Sequence, residues 1–269
     1  CASSNTCPKI IHSDGEAELW EARSSLVVTD PLGQHIELPE NVRVYLIAGT
    51  RHGGGRGVHA TIPQRGICKN FNNPLALGQI RVALSVALYE WVEGVIEPPP
   101  SNFPMVSRDG LVKAEDIDFP DIPGVDYSGS YNPLHLYDHR SAPPTRGDAY
   151  TVLVARTDVD GNMIAGVRHP NLSVPIGTHT GWNLRRTGFA EGEQCAGSGS
   201  FIPFAANRAE REASDDSRLS VEERYPSHLD YVRTISSAAD GLVRNRFLLR
   251  RDAKVIVDLA RGSKVSTQD

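Results

Sequence analysis

The sequence predicts an α/β fold on three observations. The run VRVYLIAG (42–49) is almost continuously apolar, which suits a strand buried on both faces of a parallel sheet. A second β-rich run, PKIIHS (8–13), leads through Ser-Asp-Gly into a helical segment carrying Glu16, Glu18 and Glu21. Further on, Ile80, Leu84, Leu88, Trp91 and Val95 recur near helical spacing, predicting a helix of about four turns that EPPPSNFP ends.

The remaining elements follow from local signals. SLVVTDPLGQHIEL (25–38) reads as two extended pieces around a Pro-Leu-Gly turn. The stretch 101–215 is loop-rich, its clearest element a hairpin over 149–170 with its turn at Asp158 to Asn162. The C-terminal part is helical: Ser220 and Glu223 form a capping box, HLDYVRTISSAADGLVRNRFLL follows, and DAKVIVDLARG ends at Gly262. No repeat or low-complexity tract interrupts the pattern.

At 269 residues and 39% hydrophobic content the chain can build a sizeable core. Lysine and arginine number 28 against 33 acidic residues, a net charge of -5, so no basic surplus points to nucleic acid or an anionic membrane. No apolar window approaches the roughly 18 to 20 residues of a membrane span. Small neutral or apolar substrates fit this balance better. Cys1, Cys7, Cys68 and Cys195 are too few and too scattered for a disulfide scaffold, and none forms a C-x-x-C pair. Cys1 and Cys7 either close a local loop or remain thiols. A chain that starts at Cys1 with no leader reads as a processed form or a fragment.

The chemical signal centres on RHGGGRG (51–57). His52 follows the apolar strand, where open α/β sheets gather their catalytic groups, and Gly53 to Gly55 let the backbone turn and leave the imidazole uncovered. His52 is therefore a candidate base, with a solvated loop histidine as the alternative. A histidine base needs a carboxylate to orient its ring. If the two strands pair in parallel, Asp14 and Glu18 are the candidates, although acids are favoured at a helix start in any case. No G-x-S-x-G elbow occurs, and GSGSF around Ser200 and YSGSY around Ser128 read as turns. DVDGN has Val167 where a calcium loop needs glutamate, so it reads as a hairpin turn. RHGGGRG could hold an anion through its amides and Arg51 or Arg56, but matches neither nucleotide fingerprint. No metal-ligand set or cofactor motif is present in the sequence.

Several blocks in order, CPKIIHSDGEAELW, SLVVTD, LPENVRVYLIAGTRHG, ALYEWVEGVIEPPPSNFP, GSFIPFA and LSVEERYPSHLDYV, resemble the C-terminal half of a large α/β-hydrolase domain family of esterase-like serine hydrolases. The resemblance runs from residue 7 to the end. It implies the C-terminal portion of an α/β-hydrolase fold, with an added loop-rich and hairpin region and C-terminal helices. Residues 1–100 would hold the last core strands and the acid and base, 101–215 the family-specific region, and 216–269 the helices. The family's acid-x-aromatic pattern falls on Glu18 before Trp20, favouring Glu18 over Asp14, with Leu19 where tyrosine is usual. Its histidine falls on His52. The nucleophilic serine and the oxyanion donors would lie in an N-terminal half of the same domain, which this chain would need as its partner to cleave small-molecule esters or lactones. The alternative is a binding or structural module that kept this part of the sheet without catalysis. Alone, the chain is expected to expose the apolar flank of PKIIH or VRVYLIAG and to be poorly soluble.

Overall fold

The computed structural model describes residues 1–4, 6–60, 62–125, 127 and 134–266. Its strands are β1 (Ile10–Gly15), β2 (Val42–Ile47), β3 (Leu111–Lys113), β4 (His135–Asp138), β5 (Thr145–Ala149), β6 (Leu153–Ala155), β7 (Gly177–Thr180) and β8 (Ser200–Pro203). The helices are α1 (Glu16–Glu21), α2 (Gly78–Val92), α3 (Pro170–Ser173), α4 (Arg208–Ala213), α5 (Val221–Arg224), α6 (His228–Arg244) and α7 (Arg250–Arg261). The described strands form four two-stranded sheets, of which only β1–β2 is parallel.

β2 is the spine. Val44 and Leu46 enter one apolar cluster with Leu19, Trp20, Val154 and Trp182. Tyr45 and Ile47 enter another with Ile80 and Leu84 of α2. Alternating side chains thus bury both faces, which explains why the run lacks a polar alternation. Neither edge is open: β1 lies on one side, and on the other Leu46 and Val44 exchange backbone bonds with Asn102, and Leu46 and Ala48 with Val167. The expectation that VRVYLIAG presents a bare flank is therefore corrected. The open edge belongs to β1, which among the described residues pairs with β2 alone and leaves Ile10 exposed.

α2 buries Ile80, Ala83, Leu84, Ala87 and Trp91. Leu88 is half-buried and Val95 lies exposed beyond the helix end, so the buried stripe is narrower than the spacing suggested. The Ser220–Glu223 capping box opens α5, and Tyr231, Ile235 and Ala239 of α6 pack on Ala253, Ile256 and Ala260 of α7.

Two local readings need correction. In residues 25–38 the Pro-Leu-Gly turn is present, with Thr29 bridged to His35, Asp30 N–H donating to Gln34 O and Ile36 N–H to Val28 O, but the first piece is not extended: Ser24–Val27 form a 3-10 turn behind Arg23 in the left-handed region. The hairpin turn at Asp158 exists, with Asp158 N–H donating to Asn162 O and Asp158 Oδ1 accepting from the amides of 160 and 162. Such an Asx turn supplies internally what a cation would otherwise organise. Its arms pair next to the turn, with Thr157 bridged to Met163 and Ile164 N–H donating to Arg156 O, while the earlier part of the first arm pairs as β6 with β3.

Candidate active site

The parallel register sets Gly15 opposite Ile47, so β1 and β2 end level and their following loops leave side by side. Gly15 is extended and is the N-cap of α1, and a Cβ there would lie 2.6 Å from Thr50 Oγ1. The missing side chain lets the helix start close against the next loop. Ala17 N–H donates to Thr50 O at 3.0 Å across this contact. After β2, Gly49 turns the chain with φ +69°, where a Cβ would also strike Leu172.

His52 and Glu18 meet at this junction. His52 Nδ1 stands 2.9 Å from Glu18 Oε1, while Glu18 Oε2 accepts the Gly15 amide at 3.0 Å. A carboxylate only accepts, so Nδ1 carries the proton of this bond and Nε2 is left as the basic nitrogen. The Glu18 side chain is 14% exposed and the His52 side chain 71% exposed. A fixed acid thus holds an accessible ring. Asp14 is engaged elsewhere: its Oδ2 is 2.9 Å from His12 Nε2, and this bond raises the His12 pKa against burial.

Two further carboxylates of α1 frame the pair. Glu16 is buried; its Oε2 accepts from the Gly49 amide at 2.9 Å, and its Oε1 accepts from Gly181 N–H at 3.0 Å and Trp20 Nε1 at 3.3 Å. Burial pushes its pKa up to about 7, against the lowering effect of these donors. Glu21 takes the Gly197 amide on both oxygens, at 2.7 and 2.9 Å. Its pKa is raised by burial first and by the Glu18 charge, while the Gly197 amide and His52 lower it. A Cβ on Gly197 would sit 3.8 Å from that of His52, so Glu21 anchors a loop that borders the histidine. The sequence placed these acids on α1 without roles; the one available signal was the three-residue spacing that puts Glu18 and Glu21 on one helix face.

The bordering loop is also covalently tied. Cys195 forms a disulfide with Cys68, 127 residues away, and both are buried. Cys1 pairs with Cys7. Cys1–Cys7 thus closes the local loop that was one of the two alternatives, whereas Cys68–Cys195 corrects the reading that the cysteines are too scattered to staple the fold. Replacing Cys195 by alanine should cost about 2–4 kcal/mol, read as a lower urea midpoint; an unchanged midpoint would mean that polar contacts alone hold the loop.

Ser200 opens β8 instead of lying in a turn, fully buried, with its Oγ donating to Trp182 O at 2.7 Å. It is not placed to attack anything. Ser128 lies outside the described residues. Two cavities lie nearby in the sequence. One of about 260 Å³ includes Arg51 and Arg56 in its lining. The other, about 690 Å³, is walled largely by apolar side chains such as Val58, Phe201, Phe204 and Tyr225, and shares Pro63 with the first.

A family model described as an alpha/beta hydrolase domain matches residues 1–258. The chain belongs to the alpha/beta hydrolase domain family. No curated protein and no solved structure matches it. Within this hydrolase domain, no helix among the described residues is long and apolar enough to cross a membrane.

Proposed function

We propose that the chain is the C-terminal part of a serine hydrolase that cleaves carboxylic esters or lactones, with Glu18 and His52 as the acid and base of its triad. The observation that carries this reading is the 2.9 Å Glu18–His52 bond at the carboxyl ends of two parallel strands, with no partner on Nε2 among the described residues. His52 takes the proton of a serine supplied by an N-terminal half of the same domain, then returns it to the leaving alkoxide. Glu18 orients the ring and stabilises its cationic form. Oxyanion donors come from the same half as the serine. The open edge of β1 is where that half would extend the sheet. Residues 101–215, whose Gly197 borders His52, would set substrate preference.

The test is hydrolysis of a short-chain chromogenic ester by this chain alone and by the chain joined to its upstream coding segment. Turnover only in the joined form supports the reading; turnover in neither removes it. The chain alone is also expected to self-associate through β1. A monomeric product that melts cooperatively would contradict that expectation.

A further inference from the structure

We infer that the small cavity lined by Arg51 and Arg56 is a subsite for a carboxylate carried by the substrate, so that the preferred esters are anionic rather than neutral as the net charge suggested. Its catalytic relevance rests on the hydrolase reading above; its binding of an anion does not. The cavity is about 260 Å³ and its lining includes Arg51, Arg56, Gln64 and Asn72 but no aspartate or glutamate. Among the described residues Arg51 uses only Nε, which donates to Gly54 O at 2.9 Å. Among the described residues Arg56 makes no hydrogen bond or ion pair, and it is exposed. Two arginines thus line a small cavity that has no acidic side chain among its lining residues.

The glycine amides do not compete for this role. Gly54 N–H is taken by Arg51 O, Gly55 N–H by Leu75 O and Gly57 N–H by Pro74 O. Anion recognition therefore falls to the side chains, whose fork geometry suits planar carboxylates. The volume lies below the roughly 300–1,000 Å³ of sites that enclose a whole ligand, which matches one charged group on a short tether. Arg51 directly precedes His52 in the chain, which ties this cavity to the loop that carries the base.

Monomethyl succinate, dimethyl succinate and inorganic phosphate are suitable probes. Titration calorimetry on a His52→Ala background, where turnover cannot intervene, should show binding of the monoester but not the diester, weakened roughly tenfold by Arg56→Gln. Because Arg56 holds no structural contact, this variant should fold normally. In the active joined chain, Arg56→Gln should lower the ratio of kcat/KM for monoester over diester about tenfold. Equal affinity for the two esters, or a monoester affinity indifferent to Arg56→Gln, would overturn the subsite. Binding of phosphate alone would overturn its carboxylate assignment. Arg56-dependent monoester binding without turnover in any form would support the subsite and remove the hydrolase reading instead.

Discussion

Replacing His52 by alanine is expected to lower kcat for ester hydrolysis by the joined chain at least roughly 10⁴-fold, because the serine loses both its proton acceptor and the acid that protonates the leaving group. Glu18→Gln should cost roughly 10²- to 10⁴-fold. The amide can present either an acceptor or a donor to Nδ1, and it can no longer stabilise the imidazolium. Steady-state kinetics settle both, with KM expected to change far less than kcat, since neither side chain needs to contact the substrate's resting form. Asp14→Asn is the internal comparison: Asp14 faces His12, so it should leave the rate within a few-fold. A Glu18→Gln variant with undiminished kcat would assign the 2.9 Å bond to structure alone.

The second large effect is on stability. Glu16 is the buried acceptor for three N–H groups from the β2 turn, the loop after β7 and its own helix. Glu16→Leu leaves these donors without partners at about 1–3 kcal/mol each, partly offset by relief from burying a carboxyl group. A net loss of about 3–5 kcal/mol is expected from urea unfolding of the joined chain, with His52 displaced through Gly49. A midpoint close to that of the parent would show that the donors find other partners.

Glu16 also predicts a pH dependence. Its pKa is raised on folding to about 7, so its contribution is fully present below the ordinary carboxyl pKa and is lost as pH rises through about 7. On the order of 3 kcal/mol of stability should vanish between about pH 4.5 and 7.5. Glu16→Gln, which cannot titrate, should lack that portion of the decline. Parallel stability curves for the parent and Glu16→Gln would place the proton elsewhere.

What the sequence disclosed and what it hid divide along one physical line. The β2 run, the α2 spacing and the Ser220–Glu223 box are local patterns, decided by residues within a few positions of each other, and they correspond to observed elements. That an acid after β1 would meet His52 was legible because a parallel pairing of two adjacent strands aligns their ends, but this left Asp14 and Glu18 open, and only the family resemblance favoured Glu18. The Glu16–Gly181, Glu21–Gly197 and Cys68–Cys195 contacts join positions more than 120 residues apart, and nothing local specifies them. Residues 25–38 show the opposite failure. A β-branched run promised strands, yet Arg23, buried and donating to Trp20 O, starts a 3-10 turn there, so tertiary packing overrides the local preference. The 158–162 turn joins its two arms at Thr157 and Met163, but it does not fix which further neighbour the first arm finds, here β3.

The most direct test of the central claim is active-site labelling of the joined chain with a fluorophosphonate, followed by mass spectrometry of its peptides. The account predicts one modified serine, lying upstream of these 269 residues, with labelling abolished by His52→Ala. Label on a serine of this chain, or labelling indifferent to His52→Ala, would contradict the assignment of His52 as the base.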